Sequence, residues 1–274
     1  MSEIGKPLSR TAERQIGAVT LERIVSLEPS ITATLVALGQ QHRLVAVSRH
    51  CGRLADVSGL PQLGTTWSVD AEEVAALLPD LVLAATPYQA GVIDALLRRK
   101  LNVLCLYPQT LSDVYAHMLW IGRLCEAADE ANEMVAAIKS TLASLSAAAK
   151  GMDAQRVYVE TWPAPMINAA PWVAELVNVL GGQSVPDPPG RRVTPQEVMA
   201  ADPQAILLAW ADVNPGNVEQ VRGRPGWEQI SATRTGRIVV LDEILVNAPG
   251  PNLVQGAREI WRALYPDKPV PVAG

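Results

Sequence analysis

The stretch AADEANEMVAAIKSTLASLSAAAK, residues 127–150, runs for 24 positions without a glycine or proline. Ala, Glu, Lys and Leu are strong helix formers, so an uninterrupted helix is expected here. At about 1.5 Å per residue it would be roughly 35 Å long, enough to reach from one lobe of a protein to another. What lies on either side of it decides the fold.

On its N-terminal side, RIVSLEPSITATLVALG (23–39) reads as a buried strand over 24–27, a turn at Pro29 and a helix ended by Gly39. LVAVS (44–48) is a second short apolar strand. VDAEEVAALLPDLVLAA (69–85) gives a helix from about Asp70, with Glu73 placed as in a capping box, then Pro79 and a strand over 81–85. LLRRKLNVLCLYP closes a helix and opens a strand over 102–107. After Gly151 the pattern restarts. RVYVE, AILLAW and IVVLD read as strands, PWVAELVNVLGG as a helix between Pro171 and two glycines, and NLVQGAREIWRALYP as the last helix.

EVAALLPDLVLA (73–84) and EVMAADPQAILLA (197–209) repeat one helix-proline-strand design. Continuous apolar strands alternating with helices argue for parallel sheets covered on both faces. The expected fold is α/β, with two Rossmann-like lobes of parallel sheet joined by a single long backbone helix. The expected organisation is a tail over 1–20, an N-terminal lobe over 21–125, the connecting helix over 126–150, a C-terminal lobe over 151–266 and a tail over 267–274. One continuous sheet is the alternative.

Composition narrows the function. The chain is 49% hydrophobic and 19% charged with net charge −5, which gives no footprint for nucleic acid. No apolar run reaches the roughly 18 residues that span a bilayer, so no membrane-spanning segment is expected. The first residues lack a basic-then-apolar secretory pattern. A cytoplasmic protein is therefore expected, or a periplasmic one if a leader has been removed. Cys51, Cys105 and Cys125 are odd in number and lack CxxC spacing, which argues against a disulfide framework or zinc site. GxSxG, HExxH, GxxxxGK[ST] and a strand-following GxGxxG are all missing, so a non-enzymatic protein is expected. A monomer is expected.

There is no Phe but there are seven Trp, so the core must rest on Val, Leu, Ile and Ala. The segment ETWPAPMINAAPW (160–172) sets two Trp and three Pro between a strand and a helix, with no charge after Glu160. Loops are usually polar, so this one suggests a rigid apolar wall for a large flat ligand. Trp162 is the chosen wall residue, its alternative being a core Trp that holds the turn. Asn168 either bonds a ligand amide or stabilises the turn, and Trp172 packs on the sheet.

Taken together, RIVSLEPSIT, AEEVAALLPDLVL, VYVETWPAPMINAAPWVAELVNVLGG, RRVTPQEVMAADPQAILLAW, RPGWEQISATRTGRIVVLD and APGPNLVQGAREIWRALYP resemble, in order, the cobalamin (corrinoid) substrate-binding proteins of ABC importers. These belong to the helical-backbone, class III periplasmic-binding-protein family. The resemblance covers about residues 22–266 and implies a ligand held between the lobes at the C-terminal strand ends. Its corrinoid branch is favoured by the segment after the strand over 156–160. Haem or ferric-siderophore binders share the fold and stay open, as does a chelatase-like or metallocofactor-assembly enzyme.

The resemblance also implies site residues. Trp67 matches a ligand-contacting Trp, and Tyr88 is the aromatic nearest a family position that is Ala85 here. His50, in the SRHCGR loop, falls where relatives present an aromatic residue, and imidazole is a competent cobalt ligand. Cys51 beside it would ligate only as a thiolate. Trp210 ends a strand that should face the cleft, and Asn247 is expected to supply an amide. Asn252 stands where relatives commonly carry Arg. For docking on an ABC permease dimer, Glu72 matches the first acidic anchor, while the second falls on Gln196 with Glu197 beside it.

Overall fold

A computed structural model describes residues 21–85 and 90–271 of the 274-residue chain. Two separate parallel sheets form, which excludes one continuous sheet. The first is built from β1 (Ile24–Ser26), β2 (Leu44–Ser48), β3 (Gln62–Leu63), β4 (Leu81–Ala85) and β5 (Val103–Leu106), in the order β3-β2-β1-β4-β5. Next come β6 (Gln155–Glu160) and a small antiparallel hairpin of β7 (Trp162–Pro163) and β8 (Met166–Ile167). With β9 (Gly182–Ser184), β10 (Ala205–Leu208) and β11 (Ile238–Val240), β6 makes the second sheet, ordered β11-β10-β6-β9.

Both orders reverse direction at one point, between β1 and β4 in the first lobe and between β6 and β10 in the second. A crevice opens outside the carboxyl ends of the strands at such a switch point, and open α/β sheets bind ligands there. The strands are short runs of Val, Ile, Leu and Ala buried on both faces. In β10 the two faces feed different cores: Ala205 and Leu207 join one, Ile206 and Leu208 the other.

The long helix is Ala128–Ala149, 22 residues, about 33 Å at 1.5 Å per residue. Its preceding neighbour, Leu111–Leu124, is shared between the lobes. Leu111, Val114 and Met118 pack into the second lobe's core, whereas Ile121, with Cys125 just beyond the helix, packs into the first. Gly122 makes the corner between the two helices possible, since an added Cβ there would overlap the Ala131 side chain and crowd the Ala127 carbonyl. The pair therefore forms one tightly packed spine.

Local signals decide most helix starts. Asp70 caps the helix Ala71–Ala76, accepting from the Glu72 N–H at 2.8 Å; the expected partner, Glu73, lies one residue further on. Complete capping boxes form instead at Thr110 with Asp113 and at Thr194 with Glu197. The lobes meet through specific contacts. The Leu111 N–H donates to Glu175 Oε2 at 2.7 Å. Gly250 lies so close to Ser30 that a Cβ would stand 3.0 Å from the Ser30 Cβ and carbonyl oxygen.

Candidate functional site

The carboxyl ends of the two sheets face each other, and Arg53 bridges them. It follows β2 in the first lobe, and its guanidinium pairs with Glu243, just past β11 in the second, through both carboxylate oxygens, the Nη2–Oε2 arm at 2.9 Å. Nη2 also reaches Asp242 Oδ1 at 2.8 Å. Glu243 is half-buried; burial raises its pKa, but the Arg53 guanidinium more than offsets this and holds the carboxyl below the usual range.

Exposed aromatic faces follow strand ends in both lobes. Trp67, after β3, is 53% exposed, and its ring meets His50 edge-on with centroids 5.6 Å apart. Two residues singled out from the sequence on different loops are thus brought together. Trp162, in β7 directly after β6, is 46% exposed, and its indole N–H donates to the Ala164 carbonyl at 3.0 Å. That bond folds the proline-rich turn back on itself and fixes the ring. Beneath it, Glu160 is fully buried and gripped by both arms of Arg224, at 2.6 and 2.7 Å, with the Tyr158 hydroxyl donating at 2.9 Å. Arg224 in turn covers the Trp227 ring. The wall is built on a packed ionic footing.

Other expected contacts are placed differently. Asn168 is 2% exposed; its amide NH2 donates to the carbonyls of Pro186 and Pro188, and its Oδ1 accepts from the Arg191 N–H, each at 2.9 Å. It ties the loop together and has no free polar atom to offer, so the turn-stabilising alternative replaces the ligand-facing one. Trp210 is 6% exposed and packs with Tyr158, Val221 and Trp227, behind the sheet rather than in the cleft. Cys51 is wholly buried; Thr32 donates to its sulfur at 3.0 Å and Ser48 lies at 3.2 Å. Burial pushes its thiol upward, so it belongs to the core and not to a metal site.

Asn247 is half-buried. Its NH2 donates to the Ala209 carbonyl at 2.6 Å, while its Oδ1 has no partner among the described residues. Asn252 spends its NH2 on the carbonyls of Ile244, Leu245 and Ala248. Trp172 packs against the second lobe's core and donates its indole N–H to the Val246 carbonyl at 2.9 Å. Tyr88 lies outside the described residues. Among the described residues no cluster of three or more His, Cys, Asp or Glu side chains is arranged to hold a metal ion.

Three residues were overlooked in the sequence. Tyr107 follows β5 and is 54% exposed, so it stands at the same carboxyl edge as the other aromatics. Glu28 and His117 line a small cavity between the lobes, about 20 Å³ in volume, with Ser30, Thr34, Met118 and Pro249 among the other wall residues. The signal for Glu28 was its place at the carboxyl end of β1, beside the switch point. His117 gave none, since its helix enters the site only through the fold.

The two acidic positions considered for docking are both engaged within the chain. Glu72 pairs with Arg99 on the surface. Glu197 accepts from the Thr194 N–H at 2.7 Å and pairs with Arg191 at 2.8 Å, contacts that hold its carboxyl below the usual range.

A cleft between two parallel-sheet lobes on a helical spine defines a class of ligand-binding proteins, and the sequence agrees. The chain belongs to the periplasmic binding protein family, whose model matches residues 24–245. It is 29% identical over 258 residues to an uncharacterized ABC transporter substrate-binding lipoprotein, YvrC, of Bacillus subtilis, covering 90% of this chain and 81% of that one. It is 22% identical over 253 residues to a vitamin B12-binding protein of Pectobacterium carotovorum, covering 89% and 88%. A periplasmic heme-binding protein from Pseudomonas aeruginosa superposes with a TM-score of 0.79 at 24% identity, over 92% of this chain and 96% of that one. No helix among the described residues is long and apolar enough to cross a membrane.

Proposed function

We propose that the chain is a non-enzymatic binding protein that takes a corrinoid between its lobes and serves uptake through an ABC permease or carriage within a compartment. The observation that carries this reading is the set of aromatic faces left exposed at the carboxyl ends of both sheets: Trp67 with His50 and Tyr107 in the first lobe, Trp162 in the second. Such faces match a broad apolar macrocycle, and rings fixed in place lower the ordering cost of binding it.

The charges support the same reading against an anionic ferric siderophore. Arg53 is already paired with Asp242 and Glu243, and Arg191 with Glu197, so neither is a free cation for a siderophore. His50, partly exposed beside Trp67, is the candidate axial ligand to cobalt. For docking, Glu72 on the first lobe and Glu197 on the second are the candidate anchors, each once it exchanges its own partner, Arg99 or Arg191, for a permease arginine.

Haem is the second reading, because His50 and Tyr107 are both residue types that ligate haem iron. Tryptophan fluorescence separates the outcomes. Cyanocobalamin should quench the emission saturably at 1:1, and Trp67→Phe and Trp162→Phe should each remove part of the quench. Emission unchanged by cyanocobalamin but quenched by haemin moves the assignment to haem.

A further inference from the structure

The cavity between the lobes is walled by mostly apolar side chains, and its titratable groups among the lining residues are Glu28 and His117. Glu28 follows β1 at the first lobe's switch point, and Pro249 closes the cavity from the second lobe. Among the described residues no Lys, Arg or His forms an ion pair with Glu28. Burial pushes its carboxyl up to about 7, against the opposing pull of the Ser30 N–H and hydroxyl. Burial also pushes His117 down, against the pull of Asp113 on the same helix, so its imidazole is neutral at neutral pH. Cys51, which also lies near Glu28, is raised by burial and stays a neutral thiol.

The cavity therefore offers a carboxyl and a neutral imidazole, with no cation among its lining residues; the Thr34 hydroxyl already donates to the Ser30 carbonyl at 2.8 Å and the Ser30 hydroxyl to Glu28. At about 20 Å³ it holds no more than one small group, so a macrocycle reaches it with a single peripheral substituent. A ligand carboxylate placed there would meet a second carboxyl and no compensating charge, an arrangement that costs heavily away from water. An amide or a cationic edge would find both donors and acceptors.

We propose that Glu28 is a specificity-determining residue of the inter-lobe site, selecting chelates whose edge is amide-bearing or cationic and rejecting those whose edge carries carboxylates. This rests on the reading of the inter-lobe cleft as the ligand site and deepens it. It separates corrinoids, fringed with amides, from haem with its propionates.

The test compares cyanocobalamin with its monocarboxylic acids, in which one peripheral amide is hydrolysed, on the wild type, Glu28→Gln and Glu28→Ser at pH 8. The wild type should prefer the intact amide by about tenfold or more over at least one monocarboxylate, and both variants should close that gap. An equal preference in all three proteins overturns the role of Glu28. If the wild type takes no corrinoid at all, the corrinoid reading falls separately. Haemin against its dimethyl ester then reads the same carboxylate penalty, and an unchanged ratio in Glu28→Gln overturns the proposal.

Discussion

Arg53 and Glu243 hold the two lobes together across the mouth of the cleft, through a two-pronged ion pair that Asp242 extends. Residues 190 positions apart in sequence thus set the separation of the sheets. The cavity lined by Glu28 and His117, about 20 Å³, has no room for a macrocyclic chelate, so on the proposed function the lobes part to admit one.

Replacing Arg53 with Gln should loosen the closed form at little cost to folding. Arg53 is partly exposed, and such pairs contribute at most about 1 kcal/mol. Spin labels on the two lobes should report a longer and broader distance distribution in the ligand-free variant. An unchanged distribution would show that the spine and the Gly250–Ser30 contact alone hold the lobes.

Glu28 should make stability fall as pH rises. Its carboxyl goes from the ordinary value of 4.5 to about 7 on folding, so between those values the folded state binds more protons than the unfolded. The penalty of an ionised, partly buried carboxylate is absent below pH 4.5 and fully present above about 7. Removing the charge with Glu28→Gln should raise the melting temperature by several degrees at pH 8, for a penalty of at most about 3 kcal/mol. Little or no gain is expected at pH 4.5, and an equal gain at both pH values would refute the assignment.

Trp162 and Trp210 should separate binding from stability. The exposed Trp162, cut to Ala, should weaken ligand binding by about 1–3 kcal/mol and leave the denaturation midpoint nearly unchanged. The buried Trp210, cut to Ala, should cost about 3–5 kcal/mol of stability. Urea denaturation and calorimetric titration of both variants check the pair.

Below Trp162, the Glu160–Arg224 pair should respond asymmetrically. Arg224→Ala leaves a fully buried carboxylate without its partner, a change that costs about 3–5 kcal/mol. The double variant Glu160→Gln, Arg224→Met should recover a large part of that loss in urea denaturation. No recovery would mean that Arg224 acts mainly by packing on Trp227.

The fold was legible because its signals are local. The helix-proline-strand echo pointed to two parallel sheets, and the unbroken run after Ala127 placed the long helix within a residue or two at each end. The site was only partly legible, because a strand end tells where a residue lies and not which way it points. Trp210 shares its parity with Ile206 and Leu208, so alternation along β10 turns it into the rear core. Attention to that parity would have removed it from the cleft. Asn168 was undecidable because its three partners, Pro186, Pro188 and Arg191, lie on a loop about twenty residues away. His117 reaches the cavity from a helix whose orientation depends on the close corner at Gly122, a tertiary fact with no local signature.

The measurement that tests the central proposal most directly is a visible absorption titration of the purified protein with aquocobalamin. The account expects saturable binding at 1:1, with a spectral shift that Glu28→Gln keeps and His50→Ala loses if the imidazole reaches cobalt. A folded protein that leaves the aquocobalamin spectrum and its free concentration unchanged would contradict corrinoid binding.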